Sequence, residues 1–299
     1  FRYKECTFGG IECIWITPNH IGAKWDSQNL IFRSSIWRKD DLTLVSAGFK
    51  KFFNWEEHPE IHAPPTNLKK ATVVTKEDGS LLVISKIGWE LVIRTRGDLA
   101  SNMLNGEEIE LFKKKYPKVF KNNWLDTGHS LLFEWVTPSN RIVLAYPEPE
   151  LRLVGIIRHK TYAYVLQADL DELAPFFGTA RPETYNFDNL EFMLAAITGL
   201  RGKEGACIYH GDDQKIHKAK GDWYKAAHAF KSDLSLKNMV DLWVTNDQPK
   251  YAEFNALIAE GFDFECQEMA KPYISQICDA AKEVKKIFDG MERFLENIK

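Results

Sequence analysis

Ala71-Thr-Val-Val-Thr-Lys76-Glu-Asp-Gly-Ser80-Leu-Leu-Val-Ile-Ser85 reads as two strands joined by a tight turn. Apolar and β-branched residues fill 71–75 and 81–85, and Gly79 supplies the backbone freedom that a turn requires. Lys76 stands at the strand end, beside that turn. Read alone, the string is either a solvated hairpin or a lysine held up to a bound ligand.

Working outward, further runs of strand length occupy 90–95, 131–136, 141–146, 163–166 and 206–209, separated by Gly, Pro, Asn and Asp. Two amphipathic helical stretches interrupt them. One covers 107–116 and ends at Pro117; the other covers 187–199, with Asn186 or Asp188 as cap and Gly199 as stop. The layout is α+β, built on antiparallel sheets with flanking helices. After about Trp223 the period changes to three and four residues, over 235–244, 250–259 and 264–298. In the last segment Met269, Tyr273, Ile277, Ala280 and Val284 make one stripe, and Pro272 is expected to end or kink its first part. The division expected is a larger domain over 1–228 and a small helical one over 229–299.

The chain has 299 residues, 44% hydrophobic and 27% charged, enough to bury a sizeable core. Its 39 Lys and Arg against 42 Asp and Glu give a net charge of -3. That excludes a globally cationic nucleic-acid binder but leaves room for a local basic groove. The five cysteines, Cys6, Cys13, Cys207, Cys266 and Cys278, form no CxxC pair, so neither a disulfide framework nor a structural Cys zinc site is expected. No apolar run of about 18 residues and no charged-then-apolar leader are read, which fits a reducing, cytoplasmic setting.

Three more strings carry candidate chemistry. Glu134 interrupts the apolar strand Phe133-Glu-Trp-Val136, as a core-edge residue or a ligand contact. Glu204-Gly-Ala-Cys-Ile208 places a carboxylate at a strand start. In Lys218-Ala-Lys220 the alternation of a strand puts both ammonium groups on one face, either a solvated edge or an anion site.

These strings, in this order, together with Lys51-Phe-Phe-Asn54 and the continuation Lys218-Ala-Lys-Gly-Asp-Trp-Tyr224, resemble the phage-type RNA ligase 1 family over about residues 30–228. The resemblance implies a nucleotidyltransferase fold and an ATP-dependent enzyme that joins RNA 5′-phosphate and 3′-hydroxyl ends, with tRNA repair as its setting. By similarity Lys76 is the nucleophile that takes AMP from ATP, which then passes to the RNA 5′-phosphate. Glu77, next to it, falls among the nucleotide-binding positions. Glu134 matches the ribose contact, Arg96 of Arg94-Thr-Arg-Gly97 the motif after the nucleophile, and Arg33 and Lys51 the upstream positions that handle the triphosphate. Glu204 matches the carboxylate that positions hydrated Mg2+, with Mn2+ as a substitute. Lys218 and Lys220 match the α-phosphate ligands, Cys207 the position facing adenine and Tyr224 a functional tyrosine. Two departures stand out: Ser34 and Ser35 follow Arg33 where the family often has glycine, and the helical C-terminal segment is short.

The chemistry sets a condition on Lys76. An ordinary lysine amine, with a pKa of about 10.4, is protonated at pH 7; making it nucleophilic takes about 3 pKa units, or roughly 4 kcal/mol. The expectation is that Lys218, Lys220 and a metal ion disfavour its charge while stabilising the phosphoryl oxygens.

Other readings remain. A DNA ligase or a capping guanylyltransferase shares the lysine and the KxK strand but normally continues into an OB barrel, where a helical segment follows here. A non-catalytic nucleotide binder would be expected to lose Lys76 or the KxK pair. Lys24-Trp-Asp-Ser27 imitates a nucleophile string without its glycine. The lysines between Lys113 and Lys121 are a solvated helix face or an RNA-backbone contact. No GxxxxGK[ST] string occurs, so an end-healing kinase or phosphatase is expected to be a separate chain.

Overall fold

A computed structural model describes residues 1–19, 23–99, 106–261 and 264–296. In chain order its strands begin with β1 (Arg2–Phe8), β2 (Ile11–Thr17), β3 (Ser35–Arg38), β4 (Leu44–Ala47) and β5 (Phe53–Asn54). There follow β6 (Thr72–Lys76), β7 (Ser80–Ile87), β8 (Glu90–Thr95), β9 (His129–Val136) and β10 (Glu150–Arg158). The last are β11 (Ala163–Tyr164), β12 (Thr184–Tyr185), β13 (Gly205–His210) and β14 (Lys215–Lys220). The helices of this part are α1 (Gly106–Lys115), α2 (Pro117–Phe120), α3 (Asn123–Asp126), α4 (Gln167–Phe177) and α5 (Leu190–Thr198). Beyond them come α6 (Asp222–Asp233), α7 (Leu236–Thr245), α8 (Tyr251–Gly261) and α9 (Phe264–Glu296). The chain divides into two units, Phe1–Asp222 and Trp223–Lys299.

Three sheets build the first unit, in the orders β1-β2-β3-β4, β11-β10-β9-β7-β8 and β12-β6-β13-β14-β5. Among the described residues the named strands pair antiparallel except for the two-residue match of β5 to β14. The period of two along each strand sorts residues between layers. On β7 and β9, Leu82, Ile84, Leu131, Phe133 and Trp135 bury against α1, α2 and α4 through Phe112, Val119 and Leu170. Their neighbours Val83 and Leu132 face the other way, into a second cluster with Val74, Tyr209 and Ile216 of the third sheet. On the far side of that sheet Val73, Ala206 and Ile208 pack on Met193 and Ile197 of α5. The two five-stranded sheets thus face each other, and the inward positions near the ends of β6, β9, β13 and β14 are where the polar residues stand.

Some expectations are corrected. Residues 141–146 form no strand: the amides of Val143 and Leu144 each donate to Asp78 Oδ2 at 2.7 Å, in place of a ladder. The cap of α5 is Asn189, whose side chain accepts from the Phe192 amide, while Gly199 ends the helix as the sequence suggests. Helix α9 continues through Pro272. Its buried face is Ala270, Ile274, Ile277 and Cys278, packed on Met239 of α7 and on Phe254 and Ile258 of α8. That face flanks the proline on both sides, and its burial outweighs the cost of about 3 kcal/mol for proline inside a helix. Ala280 and Val284 of the expected stripe are exposed. The side chain of Met269 lies outside the described residues.

The turn that opens the sequence reading is tightly enclosed. A Cβ on Gly79 would lie 2.4 Å from the carbonyl oxygen of Trp135. Gly79→Ala should therefore lower the unfolding free energy of the first unit by about 1–3 kcal/mol, read from the urea midpoint. An unchanged midpoint would show that the contact relaxes freely.

Candidate active site

A cleft of about 540 Å³ is lined by Arg33, Lys76, Glu77, Arg96, Glu134, Glu204, Cys207, Lys218 and Lys220, among others. The strand register gathers them. Gly205 at the start of β13 sits opposite Lys76 on β6 and opposite Lys220 on β14. Glu204, one residue earlier, therefore falls between the two lysines. Its Oε2 lies 2.7 Å from Lys76 Nζ and its Oε1 lies 2.9 Å from Lys220 Nζ. The carboxylate is 4% exposed, against 22% and 26% for the lysine side chains. Gly205 makes the approach feasible: its φ is +151°, and a Cβ there would meet the Ala219 carbonyl oxygen at 2.0 Å.

This arrangement reverses the expectation for Lys76. Burial disfavours its ammonium, but the charges of Glu204 and Glu134 outweigh burial and hold its pKa above the ordinary lysine value. Of the lysines that line the cleft, Lys218 is depressed, to about 8, by burial and then by the charges of Lys51, Arg33, Lys76 and Lys220. Glu134 projects from β9 on the cleft side, where the Gly79 amide donates to its Oε1 at 3.2 Å. Burial pushes its carboxyl up to about 7; Lys76 pulls it down and the Glu204 charge raises it further.

The remaining predicted residues divide. Arg33 lies with its guanidinium carbon 4.5 Å from the centre of the Phe52 ring, and burial with the charge of Arg96 lowers its pKa to about 10. Cys207 stands on the cleft face of β13, its thiol pushed up to about 11 by burial. Glu77 lines the cleft, yet its Oε2 is engaged by Arg152 Nη1 at 2.7 Å and by the Tyr146 hydroxyl at 3.2 Å. Lys51 lines a separate cavity of about 290 Å³, its Nζ 4.7 Å from the centre of the Phe53 ring. Tyr224 belongs to the second unit, on α6, with its ring 5.9 Å from that of His228.

Four residues near this chemistry were not singled out by the sequence, although Phe52 and Arg94 lie inside strings that carry the resemblance. Arg152 alternates with leucines in an apolar strand, and Tyr146 sits in an irregular segment. Phe52 looks like one more aromatic. Arg94, fully buried, donates to Ser34 and Ser46 rather than to any carboxylate, which ties β8 to the segment after Arg33. Its neighbour Arg96 takes the cleft position.

A family profile described as RNA ligase matches residues 32–238. The chain belongs to the RNA ligase family. The RNA ligase of Rhodothermus phage RM378 is 32% identical over 190 residues, which cover 49% of this chain and 43% of that protein. The solved structure of an archaeal ATP-dependent RNA ligase is similar with a TM-score of 0.51 at 14% identity, over 90% of this chain and 71% of that one. This likeness concerns the fold, which is the nucleotidyltransferase fold of these ligases. The chain spans between 36% and 49% of the length of the curated relatives it matches. Among the described residues no helix is long and apolar enough to cross a membrane.

Two outcomes follow from the charges in this RNA ligase cleft. Glu204→Gln removes the main negative partner of Lys76, so the Lys76 pKa should fall; competitive acetylation of Lys76 against pH, read by mass spectrometry, measures it. A midpoint that stays in place would mean the pair is not what holds the proton. Lys218→Met removes a crowded, half-buried cation and should raise the thermal stability of the first unit at pH 7, by about 1 kcal/mol. Because the folded pKa of Lys218 lies below its unfolded value, the penalty is full below about pH 8 and fades toward pH 10.5. The gain in the Met variant should fade over the same range in thermal melts.

Proposed function

We propose that this chain is an ATP-dependent RNA ligase acting in RNA repair, with broken tRNA as one candidate substrate. The observation that carries the reading is the carboxylate of Glu204 shared between Lys76 and Lys220 in a cleft that also holds Arg33, Arg96 and Lys218. Those cations surround a space suited to a polyphosphate, and their mutual crowding is relieved when phosphate charge enters.

In the proposed reaction Lys76 Nζ forms a bond to the α-phosphorus of ATP while the bond from that phosphorus to the bridging oxygen breaks and pyrophosphate leaves. The lysyl-AMP then gives its AMP to an RNA 5′-phosphate, and the 3′-hydroxyl oxygen of a second RNA end displaces AMP to form the phosphodiester. Lys76 must first give up a proton that Glu204 and Glu134 help it to keep. The second oxygen of Glu204 already faces Lys220, so this lysine is the chain's own alternative partner for the carboxylate. Lys218, with its pKa near 8, is positioned on the same strand face to hold the α-phosphate as the charge builds.

Glu204 and Glu134 are oxygen donors in one cleft, and the charge of the first raises the pKa of the second. Such a pair fits a hard divalent cation, so Glu204, with Glu134 near it, would hold Mg2+ or Mn2+. When bound, the ion neutralises phosphate charge. Arg33 fits the triphosphate role, Cys207 and Glu134 the nucleoside end, and Lys51 and Tyr224 are assigned by similarity.

The test is incubation with α-labelled ATP. Wild-type protein should acquire label and seal 5′-phosphate RNA ends, while Lys76→Ala acquires none and Lys220→Ala seals about 100-fold more slowly or worse. Full labelling of Lys76→Ala would refute the nucleophile. Preference for GTP, or for nicked DNA over RNA, would point to a capping enzyme or a DNA ligase instead.

A further inference from the structure

The alternation that turns Lys218 and Lys220 toward the cleft turns His217 to the opposite face of β14, and it turns His210 of β13 the same way. His62, from the segment between β5 and β6, closes over them. The ring centres of His62 and His217 are 4.5 Å apart, and those of His210 and His217 are 5.1 Å apart. The three residues are 8%, 7% and 0% exposed in the order His62, His210, His217. One ring nitrogen from each lies within 4.8 Å of the other two.

The hydrogen bonds assign the protons. His217 Nε2 lies 3.1 Å from the backbone carbonyl of His62. A carbonyl only accepts, so that nitrogen carries hydrogen and His217 Nδ1 presents a lone pair. A backbone carbonyl that fixes the far nitrogen of an imidazole is the support commonly found behind a metal-binding histidine. His210 Nε2 donates to His217 Nδ1 at 2.9 Å, a hydrogen bond that an ion would replace once the His210 hydrogen moves to Nδ1. His62 Nε2 is buried with no hydrogen-bond partner, an arrangement that native interiors seldom leave without a reason. Burial and the neighbouring charges lower all three imidazoles, His62 and His210 to about 4, so each is neutral at pH 7 with a lone pair to give.

We propose that His62, His210 and His217 form a zinc site, separate from the oxygen-lined cleft on the other face of the same hairpin. Imidazole nitrogen suits Zn2+, whereas Mg2+ prefers oxygen, so the two ions sort themselves between the faces. Three nitrogens at about 2.0–2.1 Å from the ion leave a fourth, tetrahedral position. Asp213, in the turn of this hairpin, exerts its charge on His62 and His210 and offsets Lys215; it or a water would complete the shell. Bringing ring nitrogens to the separation of about 3.3 Å that tetrahedral zinc requires is a shift of a few tenths of an ångström for the closest pair.

The site is structural. Strand β5 is held to β14 by a short match, Phe53 with His217 and Asn54 with Lys218, and by the Trp55 amide, which donates to the Lys218 carbonyl. An ion bridging His62 to His217 would fasten the segment after β5 onto the strand that carries Lys218.

Metal-stripped protein in millimolar Mg2+ is titrated with zinc sulfate by calorimetry and followed by thermal melts and by the visible spectrum of Co2+ in place of Zn2+. One zinc per chain should bind, with a rise of about 5–10 °C in the melting midpoint at a free zinc concentration near 100 times Kd. Four-coordinate Co2+ bands should appear. His62→Gln and His210→Gln, each checked for native melting without zinc, should each weaken binding at least 100-fold. Lys76→Ala should bind zinc as wild type does, which separates this site from the ligase reading. Absence of saturable zinc binding, or binding that survives both histidine substitutions, would overturn the assignment.

Discussion

One carboxylate between two ammonium groups organises the cleft. Glu204 is almost fully buried, and an unpaired charge there would be strongly destabilising; the two lysines make its burial tolerable. The same contact defines the resting state of Lys76, which is a paired ammonium. In the proposed reaction its nucleophilicity is therefore conditional on rearranging this pair, and the crowd of cations falls most heavily on Lys218.

Strand parity is what delivers these groups. Lys76 lies in line with Val74, Glu134 with Leu132, and Lys218 and Lys220 with Ile216, so each functional residue shares a face with residues of the inter-sheet core. The site is an extension of the core to the ends of four strands, where hydrophobic packing gives way to charge. Its precision comes from the core's rigidity, since neighbouring close-packed side chains leave little room for these strands to shift.

Much of this was legible in the sequence. The lysine beside its turn, the carboxylate before Gly205 and the KxK alternation were readable because strand period and turn chemistry are local properties. The order of these strings carries the resemblance to the RNA ligases, and the resemblance supplies the roles expected of them. What escaped reading was contact at long range. Nothing near Asp78 says that its carboxylate takes the amides of Val143 and Leu144, which is why 141–146 looked like a strand. Nothing near Glu77 announces Arg152. The proton on Lys76 is hidden for a related reason: the signs of its neighbours are legible, but not that the carboxylates lie nearest. Pro272 was read by its local preference, which burial on both sides of it overrides.

The β13–β14 hairpin carries charge chemistry on one surface and three imidazoles on the other, so its length is constrained in a particular way. Inserting or deleting a single amino acid within β14 would exchange the two surfaces, sending His217 into the cleft and a lysine among the histidines. A two-residue change would preserve the facing but move every pairing along. The connecting loop at 211–214 can change length without exchanging the two surfaces, and that is where divergence in length among related proteins should collect.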